Sequence, residues 1–205
     1  MLPPANPDSG QRVHPPLEIE IKLKPLSLQD AIERIGAAGF TVLHPRAFES
    51  NTLFDYADGR LKTGGEVLRL REFGGTCMIT FKGDPQVLGG HKVREELETT
   101  VGSCAVLQAI LGRLGYTPTF RYEKFRTTYS RKGDAGLLTL DETPIGPFLE
   151  LEGDAHWIDR TATELGFPPE AYITDSYGRL WLRHCQETGS SVTEFVFAAS
   201  SQGNG

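Results

Sequence analysis

The chain has 205 residues, 39% of them hydrophobic, and a net charge of −6 at pH 7. That length fits one generous domain with an ample core, and the mixed charge with ordinary apolar content excludes a disordered chain. The acidic balance argues against general nucleic-acid binding, which usually needs a basic surplus. No apolar run approaches the roughly 18 residues of a membrane helix.

Residues 1–16, MLPPANPDSGQRVHPP, are Pro-rich and polar and lack the apolar core of a signal peptide. They are expected to form a flexible leader. Residues 17–188 then read as one domain and 189–205 as a C-terminal tail, in which VTEFVFAAS is the one piece able to pair or pack locally. The three cysteines, Cys77, Cys104 and Cys185, are odd in number and have no CxxC spacing. They are expected to be reduced thiols of a cytoplasmic protein, and they carry no zinc signature. The five histidines are scattered without ligand spacing.

The first regular element is LEIEIKLKP, residues 17–25, where Leu17, Ile19, Ile21 and Leu23 alternate with Glu18, Glu20, Lys22 and Lys24. Period-two alternation predicts a strand with one apolar and one charged face. SLQDAIERIGAAGF follows, with Ser27 as N-cap, an apolar stripe of Leu28, Ala31, Ile32 and Ile35, and glycines as the stop, so a helix is predicted. Short strand-like runs come next: SNTLFDYA, EVLRLREF, TCMITFKG and HKVREELETTV. Between the last two, GDPQVLGG reads as a hairpin loop. A second helix, SCAVLQAILGRLGY, starts at Ser103 and stops at Gly115. Three further strands, TFRYEKFRTTYS, GLLTLDE and PFLELEG, precede helical segments near 157–165 and 175–185. Eight strands joined mostly by short turns predict an antiparallel sheet.

The charged faces share a pattern. Glu18 pairs with Glu20, Arg69 with Arg71, Glu96 with Glu98, Lys124 with Arg126 and Glu150 with Glu152, each two residues apart, and Lys82, Arg94 and Asp141 share faces of the same kind. A solvated face explains any one of these strands. Five strands that place like charges side by side instead ask for opposite charge across a common space. Closing the eight strands into a barrel with these faces inward supplies that space, and the amphipathic helices then cover the apolar outer wall. Such a barrel holds side chains or one small ligand. Buried charges must be paired or bound to ions. Carboxylates hold hard cations such as Mg²⁺ or Mn²⁺, while lysine and arginine hold phosphoryl oxygens.

Glu18-Ile19-Glu20-Ile21-Lys22 resembles the ExExK signature of the CYTH superfamily, the triphosphate tunnel metalloenzymes. NTLFD, LRLR, TFKG, REELE, LDETPIGPFLELEG and DSYGRLWL follow in the order that family has them, over about residues 17–185. The resemblance implies an α+β fold, an eight-stranded antiparallel β-barrel tunnel with helices outside. It implies metal ligation by Glu18, Glu20, Glu150, Glu152, Asp141 and Glu96. It implies triphosphate binding by Lys22, Arg69, Arg71, Lys82, Arg94, Lys124 and Arg126, with Glu18, Glu20, Lys22 and Glu152 at the chemical centre. Some eukaryotic triphosphatases of the family carry a lysine in the C-terminal helix, where this chain reads Ser176-Tyr177-Gly178-Arg179.

The expected function is metal-dependent cleavage of inorganic triphosphate, ATP or a similar small triphosphate. The alternatives are a class IV adenylate cyclase and a non-catalytic polyphosphate- or nucleotide-binding module. A third is a barrel for an apolar ligand with its charges outside. Neither a nucleic-acid nor a membrane partner is expected, and a homodimer is compatible with an open barrel flank.

Overall fold

The computed structural model describes residues 17–191 and 193–198. The expected leader, residues 1–16, lies outside them. The first strand, β1 (Leu17–Leu23), leads into α1 (Leu28–Ala37), β2 (Thr41–Tyr56) and the single turn α2 (Arg60–Thr63). Next come β3 (Val67–Phe73), β4 (Thr76–Lys82), the short β5 (Gln86–Leu88), β6 (His91–Val101) and α3 (Cys104–Arg113). The chain continues through β7 (Tyr116–Ser130), β8 (Leu137–Thr143), β9 (Gly146–Glu152), α4 (Ala155–Glu164) and α5 (Tyr177–Thr188).

The strands run in the order β1-β9-β8-β7-β2-β3-β4-β6, and a β1–β6 pairing closes the ring. Every pairing between these strands is antiparallel. The predicted eight-stranded barrel is therefore present, and β5 adds a hairpin onto β6 where GDPQVLGG reads as a loop. The turn FGGT between β3 and β4 uses Gly74 and Gly75 at φ of +56° and +79°, a conformation only glycine adopts freely.

Apolar side chains point outward and are covered by helices. Ile21, Leu23, Leu138, Leu140, Leu149 and Leu151 form one core with Ala31 and Ile35 of α1 and Trp157, Ile158 and Ala162 of α4. Each fully buried side chain of this size contributes about 2 kcal/mol. A second core sets Leu111 of α3 against Phe54, Leu70 and Cys77. Here the expectation of three reduced thiols fails. Cys77 of β4 and Cys104 at the start of α3 form a disulfide. Packing of α3 on the wall brings together two residues 27 positions apart, a separation that carries no pairing signal. Cysteine usage is thus no argument for a cytoplasmic location. No helix among the described residues is long and apolar enough to cross a membrane.

A third cluster closes one end of the barrel. Tyr177 and Leu180 of α5 pack with Tyr122, Phe148 and Phe195. Phe195 belongs to the expected tail, but its backbone bonds Arg121 O and Glu123 N at 2.9 Å each, so residues around it strap α5 to β7.

Candidate active site

Alternation decides which side chains enter the barrel. Residues of one parity on each strand face inward, and the register brings charges from neighbouring strands together. Lys22 lies opposite Glu150, Glu20 opposite both Glu152 and Lys92, Glu18 opposite Arg94, Lys82 opposite Glu96 and Arg126 opposite Asp141. They surround a cavity of about 450 Å³ lined by Glu18, Glu20, Lys22, Arg69, Arg71, Lys82, Arg94, Glu96, Lys124, Arg126, Glu150 and Glu152, with Glu98 and Lys92. Twelve of the thirteen predicted site residues thus share one wall. The thirteenth, Asp141, is fully buried behind it.

The acids and bases are interlocked. Lys82 Nζ contacts Glu18 Oε1 and Oε2 at 2.8 and 2.6 Å and Glu96 Oε2 at 2.9 Å. Lys92 donates a short bond to Glu20, and Lys22 lies 3.2 Å from Glu150 and 3.5 Å from Glu20. Asp141 accepts from Lys124 at 2.8 Å, from Arg126 at 2.7 and 2.6 Å, and from the Tyr177 hydroxyl at 2.7 Å. Arg126 also donates to Glu150. Arg69 Nη2 lies 3.6 Å from Glu96 and 3.5 Å from Glu98.

Burial sorts the lining by depth. Lys22, Arg69, Lys92, Arg94 and Lys124 are buried, as are Glu20, Glu49 and Asp141, whereas Glu98 and Glu152 are exposed, so acids and bases alternate at depth and the exposed charges of the lining are carboxylates. Electrostatics follow. Burial pushes the Glu18 carboxyl up to about 7, and Glu20 adds repulsion that Lys82 only partly offsets. Burial also raises Glu152, reinforced by Glu20 and Glu96. Glu20 and Glu150 go the other way. Burial alone would raise them, but Lys22 with Lys92 for Glu20, and Lys22 with Arg126 for Glu150, hold both well below the ordinary range.

Glu18, Glu20, Glu96 and Glu152 therefore concentrate negative charge in one region, where burial and mutual repulsion hold the Glu18 and Glu152 carboxyls above the ordinary range. Hard oxygen donors in that state fit a divalent ion such as Mg²⁺ or Mn²⁺. As the side chains stand, no three His, Cys, Asp or Glu residues among those described form a ready cage. Lysine ammonium groups lie against three of these carboxylates, Lys82 on Glu18 and Glu96 and Lys92 on Glu20.

Sequence reasoning missed three residues. Lys92 shares the inward parity of Arg94 and lines the cavity, so the alternation already contained it. Glu49 is fully buried beside Lys124, Arg71 and Arg126. Tyr177 sits beneath two ammonium groups, Lys22 Nζ at 5.2 Å and Lys124 Nζ at 5.0 Å from its ring centre. Arg179, the basic residue of the C-terminal helix, has a side chain 77% exposed and lies 3.9 Å from Asp175, away from the cavity.

The CYTH domain profile matches residues 16–177. The chain belongs to the CYTH family. A relative in Methanocaldococcus jannaschii, provisionally named an adenylate cyclase, is 29% identical over 136 residues, covering 66% of this chain and 76% of its own. A provisionally named adenylate cyclase of Vibrio parahaemolyticus superposes with a TM-score of 0.70 at 20% identity, over 81% of this chain and 98% of its own. A Pyrococcus horikoshii protein superposes at 0.67 and 22% identity, over 82% and 99%. A Hippeastrum protein, also provisionally named an adenylyl cyclase and described as having a dominant triphosphatase activity, gives 0.59 at 18% identity, over 85% and 97%. At these identities the structures speak for the tunnel fold.

Proposed function

We propose that this CYTH protein binds a small triphosphate together with Mg²⁺ or Mn²⁺ inside the barrel and cleaves it, with water as nucleophile and orthophosphate as a product. The observation that carries this reading is the lining. Lys22, Arg69, Arg71, Lys82, Lys92, Arg94, Lys124 and Arg126 converge on one cavity with Glu18, Glu20, Glu96, Glu98, Glu150 and Glu152. Glu49 and Asp141 lie behind that wall, so the barrel holds as many acids as bases. A bare triphosphate brings several negative charges to a near-neutral lining. One whose charge is offset by divalent cations matches it.

Glu18, Glu20, Glu96 and Glu152, with Glu150 beside them, would hold the cations, and Asp141 supports them through Arg126. Bound Mg²⁺ or Mn²⁺ supplies charge neutralisation and polarises phosphoryl oxygens. The remaining work falls to the chain. Arg69, Arg71 and Arg126 offer paired N–H donors to phosphoryl oxygens, and Lys22, Lys82 and Lys124 offer point charges. Phosphoryl transfer needs little covalent help, so positioning and charge stabilisation by these groups account for most of the rate. As phosphate oxygens take over Lys82 and Lys92, Glu18 and Glu20 are released for cations.

A second reading, ATP cyclisation to cyclic AMP and pyrophosphate, is favoured by the name of the Methanocaldococcus jannaschii relative. It needs the same lining with the ribose 3′-hydroxyl as nucleophile. A binding module without turnover would have little use for so many carboxylates. Product analysis separates the three. The protein is incubated with inorganic triphosphate and, separately, with ATP, each with Mg²⁺ or Mn²⁺. Orthophosphate release is the expected result. Cyclic AMP with pyrophosphate replaces the first reading by the second, and no turnover leaves the binding module.

A further inference from the structure

We propose that Glu49 is a positioning residue for this cleavage, a buried counter-charge that orients Arg71, Lys124 and Arg126 and sets how tightly the tunnel holds anions. The proposal rests on the triphosphate-cleaving reading of the cavity. Glu49 is on the inward face of β2, between β3 and β7, and is fully buried. It is absent from the cavity surface, so it acts through its neighbours rather than on a substrate. Its Oε1 accepts from Asn51 Nδ2 at 2.9 Å and lies 3.4 Å from Lys124 Nζ and 3.8 Å from Arg71 Nε. Its Oε2 faces Arg126 Nε at 4.0 Å.

One carboxylate therefore serves three bases from two strands. Lys124 and Arg126 have a second partner in Asp141, whereas among the described residues Arg71's second acidic partner is Glu98, at 3.9 Å. A charge this deep is poorly screened by water and is felt across the cavity. Replacing Glu49 by glutamine keeps its size and its bond with Asn51 while leaving the bases one negative charge short. They then turn toward any bound anion, so anions bind more tightly and anionic products leave more slowly. A residue that merely packed would have the opposite effect or none.

The experiment measures pyrophosphate binding in the presence of Mg²⁺ by calorimetry, alongside kcat and KM for inorganic triphosphate. Glu49→Gln is expected to bind pyrophosphate about fivefold tighter, with a lower KM and a kcat reduced about tenfold by slow release. Glu49→Asp keeps the charge on a shorter arm. It is expected to hold pyrophosphate within about twofold of the wild type while kcat stays reduced. Unchanged or weaker pyrophosphate binding by folded Glu49→Gln overturns the proposal. Should Glu49→Gln not fold, Glu49→Asp decides: weakened binding or an unaltered kcat overturns it. A wild type that neither binds pyrophosphate nor cleaves triphosphate overturns the functional reading itself. A wild type that does both, with no shift in Glu49→Gln, removes only the role given to Glu49.

Discussion

Lys82 Nζ lies against both carboxylate oxygens of Glu18, at 2.6 and 2.8 Å. An ammonium group thus holds the place where a divalent cation would meet that carboxylate. Anything that draws Lys82 away, a phosphate above all, frees Glu18. Metal binding without triphosphate should accordingly be weak and should strengthen in Lys82→Met. An increase of about tenfold in Mn²⁺ affinity at pH 8, followed by calorimetry with the metal alone, is expected from removing one competing charge. No increase would mean that Lys82 does not guard the site.

The raised carboxyl of Glu18 predicts an unusual pH dependence for the metal-free protein. Its folded value, about 7, lies above the ordinary 4.5. Between those values the folded chain binds more protons than the unfolded chain, so stability falls as pH rises through this window. Glu18→Gln, which cannot ionise, should flatten that decline. Urea unfolding at pH 5 and pH 8 in the presence of a chelator checks the sign. A wild-type decline that persists unchanged in the variant would place its origin elsewhere.

The Cys77–Cys104 disulfide ties α3 to the barrel wall across 27 residues. A loop of that size is worth about 3 kcal/mol in restricted unfolded-chain entropy. Reduction, or the double Cys77→Ser and Cys104→Ser variant, should lower Tm by about 6–12 °C. Calorimetry with and without reductant reads this directly. The barrel lining is on the opposite face of β4, so triphosphate cleavage at 20 °C should survive.

The Tyr177 hydroxyl donates to Asp141 at 2.7 Å from the helix that closes one end of the barrel. Tyr177→Phe keeps the ring under Lys22 and Lys124 and loses only that bond. A buried hydrogen bond to a charged acceptor is worth about 2 kcal/mol. Urea unfolding should show a loss of that order, and a neutral substitution would mean Lys124 and Arg126 already satisfy Asp141.

Strands with uninterrupted alternation were readable from sequence, and those without it were not. β1 announces Glu18, Glu20 and Lys22 because no residue breaks its period, and β9 announces Glu150 and Glu152 likewise. β2 is different. Pro45 and register shifts near Val42, His44 and Ala47 interrupt its pairing with β7. The strand therefore reads as starting at Ser50, one residue too late to include Glu49. Lys92 lies two residues before Arg94 on the same face of β6, so the alternation of that strand already contains it. Tyr177 carries no periodic signal, since its place depends on α5 folding across the barrel end. The disulfide depends on tertiary packing alone.

The central claim, a metal-dependent triphosphate centre built on Glu20, is tested most directly by orthophosphate release from inorganic triphosphate with Mn²⁺. Wild type and Glu20→Gln are measured side by side. Glu20 is buried between Lys22 and Lys92 in the cavity wall. Turnover in the wild type that falls at least about a hundredfold in the folded variant is the predicted result. Equal turnover in both proteins, or turnover indifferent to metal removal, would contradict it.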